Sequence, residues 1–173
     1  RAYLPKLPSA LRAGAAVNVV KGNPLPAFAD AEKIEKLFPT TSNMPDLTFT
    51  AGDGRKLDKP VNVGVILSGG QAPGGHNVIA GLYDGLKSLN PESRLFGFKG
   101  GPSGLVDNDY VEIDGAFLDS FRNTGGFDMI GSGRTKLELP EQFDKAEINA
   151  KALNISAIVI IGGDDSNTNA CTL

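Results

Sequence analysis

A run of apolar, largely β-branched residues from Ala157 to Ile161 ends in Gly162-Gly163, two adjacent carboxylates at Asp164 and Asp165, and then Ser166-Asn167-Thr168-Asn169. Such a run reads as a buried strand, and the hydroxyl and amide residues after it suit the opening of a helix. In an α/β sheet, ligands sit beyond the carboxyl ends of the strands. Glycine lets the backbone come close to them, and the next helix offers an anion its free N–H groups and positive dipole end. The pattern suits phosphate. Two carboxylates would repel a bare phosphate, so at least one is expected to hold a divalent cation. Mg²⁺ is the natural choice, because it prefers oxygen ligands and bridges carboxylates to phosphates. The plain alternative is a strand-to-helix turn with a capping Asp.

A second segment has the same design. Val61 to Leu67 reads as a strand and runs into Ser68-Gly69-Gly70-Gln71-Ala72-Pro73-Gly74-Gly75-His76-Asn77. Val78, Ile79, Leu82, Leu86 and Leu89 then recur at helical spacing. Four glycines so close together cost backbone entropy that a plain turn does not require, so a loop cradling phosphate through its N–H groups is the better reading. It is neither a Gly-x-x-x-x-Gly-Lys-Ser/Thr loop nor a Gly-x-Gly-x-x-Gly dinucleotide fingerprint. His76, the only histidine, lies inside it and is expected to position the loop as a hydrogen-bond donor rather than to move protons.

Five segments, in order, resemble the phosphofructokinase family. They are Ser68 to Asn77, Gly100-Gly101-Pro102-Ser103-Gly104, Asn123-Thr124-Gly125-Gly126-Phe127, Ser132-Gly133-Arg134-Thr135-Lys136 and Gly162 to Asn169. More narrowly they are similar to the pyrophosphate-dependent, long plant-type branch, which exchanges a phosphoryl group between pyrophosphate and fructose 6-phosphate. The resemblance covers roughly residues 61–173, and residues 1–60 fit that branch's N-terminal extension.

The resemblance implies a division of roles. Gly70 and Ser166 would contact the diphosphate, and Arg134 would contact the transferring phosphoryl group with a guanidinium that stays charged. Asp164 would organise Mg²⁺. Asp165 stands where ATP-using relatives carry glycine, and its charge would occupy the place of a nucleotide's α-phosphate. Lys136 reads as a solvated neighbour. The family's general base, an aspartate in a Thr-Ile-Asp segment after a Pro-Lys pair, has no match before Leu173, and most of the sugar-phosphate pocket is expected beyond it. A start at Arg1 rather than Met suggests a truncated, processed or incomplete record. A fragment of a non-catalytic regulatory subunit, or an ATP-dependent enzyme, are the competing readings.

The elements that must hold these residues follow. Asp30 to Phe38 suggests one short helix, ended by Pro39, inside a Pro-punctuated arm. Arg94 to Lys99 reads as a second strand leaving through Gly100 to Gly104, where a sharp turn is the slightly better reading. Asp107-Asn108-Asp109 reads as a surface turn. Phe117, Leu118 and Phe121 form the apolar face of a short helix, and Pro140 opens another with Phe143, Ala146, Ala150 and Leu153 turned inward. This order predicts an α/β fold, a parallel Rossmann-like sheet with helices on both faces, spanning 61–173 and preceded by an extension over 1–60.

Composition agrees. A length of 173 residues suffices for one core, and a net charge of −3 without a basic cluster argues against nucleic acid. A single cysteine, Cys171, excludes an internal disulfide and fits a reducing compartment, where it is expected to be inert. No apolar stretch of ~20 residues suggests a membrane span. Cytoplasmic residence is therefore the expectation, in an oligomer whose further chain or subunits carry the sugar-phosphate site.

Overall fold

The computed structural model describes Tyr3, Leu4 and residues 6–173. It divides into two compact units, Pro5–Arg55 and the remainder. The smaller holds a 3₁₀ turn at Ser9–Leu11, strand β1 (Val17–Pro24), helix α1 (Ala31–Leu37) and strand β2 (Pro45–Ala51). α1 stops at Phe38, immediately before Pro39. β1 and β2 pair antiparallel, with Val19 opposite Phe49, and the register slips between Lys21 and Pro24. The arm is thus a β-hairpin enclosing the expected helix, since the two prolines at the far ends of the strands, Pro24 and Pro45, lie opposite one another where the ladder stops.

The larger unit holds β3 (Asn62–Leu67), α2 (Gly75–Leu89), β4 (Arg94–Phe98), α3 (Pro102–Asp107), β5 (Tyr110–Ile113), α4 (Gly115–Asp119), α5 (Pro140–Ala152), β6 (Ile155–Ile161) and α6 (Asp164–Thr172). The sheet order is β5-β4-β3-β6. β3 is parallel to both β4 and β6, and β5 runs antiparallel to β4.

β3 is buried along almost its whole length, and its alternation sorts its side chains onto two cores. Val63, Val65 and Leu67 pack with Ile79 and Leu86 of α2, Leu118 of α4, and Phe127, Met129 and Ile130 of the following segment. Ile66 faces the opposite way, with Phe98, Leu105 and Ala146. Gly64 belongs to that second face for a steric reason: a Cβ there would lie 2.7 Å from the Phe98 ring. The layering is therefore helix, sheet, helix, and it delivers the carboxyl ends of β3 and β6 to the same edge of the sheet, with Leu67 opposite Ile161.

Besides the β1–β2 strands of the arm and helix α3, none of which the sequence reading contained, two details of the sheet depart from it. β5 was not anticipated: it is four residues long, too short to show a period of two, and it follows a turn in which Asn108 adopts a left-handed conformation (φ 56°). β6, expected to be buried, is an edge strand among the described residues. None of its side chains is fully buried, and Ser156 and Ala157 are exposed.

Candidate active site

The two strand exits meet. Ser68, directly after β3, is buried, and its hydroxyl lies 2.8 Å from that of Ser166 in the first turn of α6. Gly162 is required there, because a Cβ would fall 2.5 Å from Ser166 Oγ and 2.8 Å from the Ser68 carbonyl oxygen. The Ser68 amide also donates to the Ile161 carbonyl at 2.8 Å. One loop is thereby fastened to the other before any ligand is considered.

The segment 131–137 closes the third side. Gly69 N–H donates to Gly133 O at 2.8 Å, and Ser68 and Gly133 form an isolated parallel bridge. Behind it, the exit of β4 is packed backbone to backbone. Gly100 and Gly101 both have positive φ (69° and 89°), and a Cβ on Gly133 would sit 2.0 Å from the Gly100 carbonyl oxygen. Gly100–Gly101 is thus a turn that is also a contact surface, and the rest of the segment read as that turn, Pro102 to Gly104, opens helix α3. On its far side, the Asn169 side chain acts as a short piece of strand, accepting from Leu137 N–H at 3.1 Å and donating to Leu137 O at 2.8 Å.

Arg134 projects from this frame beside the first loop, and a Cβ at Gly70 would come within 3.0 Å of Arg134 Nη2. Ser68, Gly69, Arg134, Thr135, Lys136, Asp165, Ser166 and Asn169 line one open cavity. Arg134 pairs with no carboxylate among the described residues. Lys136 Nζ stands 3.7 Å from Asp165 Oδ1, both side chains being more than half exposed. That lysine, read as a solvated neighbour, is half exposed and also stands as a loose counter-charge to the carboxylate across the cavity.

The capping alternative for the carboxylates fails in detail. Gly163 is the N-cap of α6 and no side chain caps it, so Asp164 and Asp165 both stand inside the first turn. Asp164 Oδ1 accepts the Asp165 amide at 3.0 Å, and its carboxylate has no cation against it among the described residues. Both carboxylates face solvent, and no group of three or more acidic, histidine or cysteine side chains able to enclose a metal ion forms among the described residues. Asp165 lines the cavity and faces Lys136, while Asp164, its exposed neighbour in the same turn, is not among the lining residues.

Ser68, Thr135 and Asn169 lie inside the quoted sequence segments but received no role there. Asn169 left one readable trace: it lies four residues beyond Asp165, hence on the same face of α6. Ser68 left none.

Glycine-rich turns at the carboxyl ends of parallel strands, two carboxylates in a helix's first turn and an arginine with no carboxylate partner among the described residues mark the chain as an α/β protein with its candidate site at the strand ends. The sequence model described as Phosphofructokinase matches residues 62–173, and the chain belongs to that family. It is 56% identical over 171 residues to the pyrophosphate–fructose 6-phosphate 1-phosphotransferase of Porphyromonas gingivalis, covering 99% of this chain and 31% of that protein. It is 48% identical over 169 residues to the β subunit of the corresponding Solanum tuberosum protein, covering 96% of this chain and 29% of the subunit. The Solanum α subunit is 37% identical over 180 residues, covering 99% of this chain and 29% of its own length. The chain therefore spans about a third of these relatives. Among solved structures, the pyrophosphate-dependent phosphofructokinase of Nitrosospira multiformis matches with a TM-score of 0.55 at 21% identity, covering 62% of this chain and 28% of that one. That likeness concerns the fold.

Proposed function

We propose that these residues form the phosphoryl-donor half of a pyrophosphate-dependent 6-phosphofructokinase. The reaction moves the terminal phosphoryl group of pyrophosphate to the 1-hydroxyl of fructose 6-phosphate: the sugar oxygen bonds to phosphorus, the bridging P–O bond breaks, and orthophosphate leaves. It runs reversibly and yields fructose 1,6-bisphosphate. Backbone amides around Gly70 and the Ser166 hydroxyl bind the diphosphate, and Arg134 meets the charge that develops on the transferring group. Asp164 would hold Mg²⁺, which supplies charge neutralisation on the phosphate oxygens when bound. No residue of this chain is assigned as general base; proton removal and most sugar-phosphate contacts belong to other parts of the protein. The relatives named by subunit support an oligomer.

The observation that carries the choice of donor is Asp165, whose carboxylate faces the cavity of Arg134 with Lys136 as its counter-charge. Pyrophosphate ends before a nucleotide's α-phosphate begins, so only the nucleotide meets this charge. The carboxylate is 83% exposed, so its effect is modest. For unit charges about 4 Å apart in a water-like dielectric the repulsion is about 1 kcal/mol, or roughly fivefold in affinity. Asp165→Gly in the whole protein should move the ratio of kcat/KM for pyrophosphate over ATP toward ATP by at least that factor, with Lys136 released to meet the extra phosphate. A ratio that stays put removes Asp165 as the discriminator.

A further inference from the structure

We propose that His76 is a positioning residue whose neutral imidazole brackets the first glycine loop to the segment 124–129, and so sets where Arg134 stands against Gly70. The value of that placement rests on the donor-site reading above. The imidazole is 2% exposed and both nitrogens are used. Nδ1 lies 2.7 Å from Thr124 Oγ1. The Thr124 hydroxyl already donates to the Phe121 carbonyl at 2.6 Å, so the shared proton comes from Nδ1. Nε2 is then the acceptor, and it receives two backbone amides, Asp128 at 3.0 Å and Met129 at 2.9 Å. The donor role expected from sequence is therefore half of the arrangement; the other half is a double acceptance on the opposite nitrogen.

The contact is closed on every side. Gly74 N–H donates to Gly125 O at 2.7 Å and His76 N–H to Gly126 O at 3.0 Å. A Cβ on Gly126 would fall 2.6 Å from imidazole Cε1, and one on Gly75 would fall 2.4 Å from the Phe127 ring. Phe121 meets the imidazole edge-on at 5.1 Å between centroids. Met129 leads within five residues to Arg134, and Gly69 N–H is already bonded to Gly133 O. The glycine loop is thus held at one end by residue 133 and at the other by His76; Gly70 lies between the two fastenings, and Arg134, whose Nη2 a Cβ on Gly70 would approach to 3.0 Å, directly follows the first.

Asp128 is the charged group in contact with the ring among the described residues, its Oδ1 being 3.0 Å from Nε2. A proton on Nε2 would turn to that carboxylate and leave both amides without their acceptor. The bracket requires the neutral ring.

Four substitutions in the whole protein test this: His76→Gln, His76→Asn, Thr124→Val and Thr124→Ser. Glutamine can place an oxygen near Nε2 and keep the two amides bonded, whereas asparagine reaches only the Nδ1 position. Losing the acceptor of buried amides corresponds to about a tenfold effect. His76→Asn should therefore raise both amide exchange across 124–134, measured without ligands, and KM for pyrophosphate, each about tenfold, while His76→Gln stays within roughly threefold of wild type. Thr124, being exposed, can be changed without threatening the core; Thr124→Val should loosen the same amides and Thr124→Ser should restore them. Unchanged exchange in both His76→Asn and Thr124→Val overturns the bracket. Faster exchange with an unmoved KM for pyrophosphate overturns its link to the donor site. A wild-type protein that does not use pyrophosphate sinks the donor reading instead, and the bracket is then decided by exchange alone.

Discussion

Asp164 and Asp165 are neighbours in sequence and in the same helical turn, yet their surroundings assign them different tasks. Asp165 has Lys136 across the cavity, while Asp164 has only an amide against one oxygen. Asp164→Asn keeps the shape and that hydrogen bond and removes the charge that would balance a cation. Loss of one preorganised electrostatic group costs ~10²- to 10³-fold in rate, which kcat/KM measured over a Mg²⁺ titration should show. Stability should fall by no more than about 1 kcal/mol, the worth of an acidic group at an exposed helix N-terminus. Near-normal activity with unchanged Mg²⁺ dependence would leave Asp164 without its role.

Elements position these residues through glycines that differ in what they tolerate. In α2, Gly81 is exposed and a Cβ there meets nothing within 4 Å, so Gly81→Ala should stabilise by about 0.5–1 kcal/mol through lower unfolded-state entropy. At Gly133 the same substitution drives Cβ into the Gly100 carbonyl oxygen, which is backbone and cannot swing aside. Gly133→Ala should cost at least ~2 kcal/mol. Denaturant unfolding of the pair checks both signs. The contrast shows what could be read from the sequence. β3 and β6 were legible because apolar runs stop abruptly at glycine, and Pro140 and Pro39 mark helix ends by their fixed geometry. The β1–β2 hairpin and β5 were not, since short or proline-flanked strands carry too little alternation. The site's phosphate loops were visible as composition. That Gly133 abuts Gly100, that Asn169 stands in for a strand beside Leu137, and that Nε2 of His76 accepts two amides depend on segments about 30 or more residues apart, and no local pattern records them.

Across the larger unit, the sheet's outer pair is joined by a two-pronged contact between Arg94 of β4 and Glu112 of β5, with Nε donating to Oε1 at 2.9 Å and Nη2 to Oε2. The guanidinium holds the Glu112 carboxyl below its ordinary value of 4.5. A lowered folded-state value means that the stabilisation is fully present above the unfolded value and is lost as pH falls through the folded one. Both side chains are nearly half exposed, so the effect belongs to surface pairs and amounts to ~1 kcal/mol or less. Glu112→Gln should lower Tm slightly at neutral pH and flatten its decline below about pH 4.5. If wild type and variant lose stability in parallel as acid is added, the pair contributes nothing.

The order β5-β4-β3-β6 also sets a timetable. β3 gains its first partner, β4, almost at once, but Asn62 waits for Ile155, roughly ninety residues later, before its other side is covered. At 5–20 residues per second on the ribosome that interval lasts roughly 5–20 seconds. Throughout it, Val63, Val65 and Ile66 stand beside a row of open amides and carbonyls in a growing chain. The strand that leads into the first glycine loop therefore has one side uncovered through that interval, and the cavity at its end is complete only once α6 has been made.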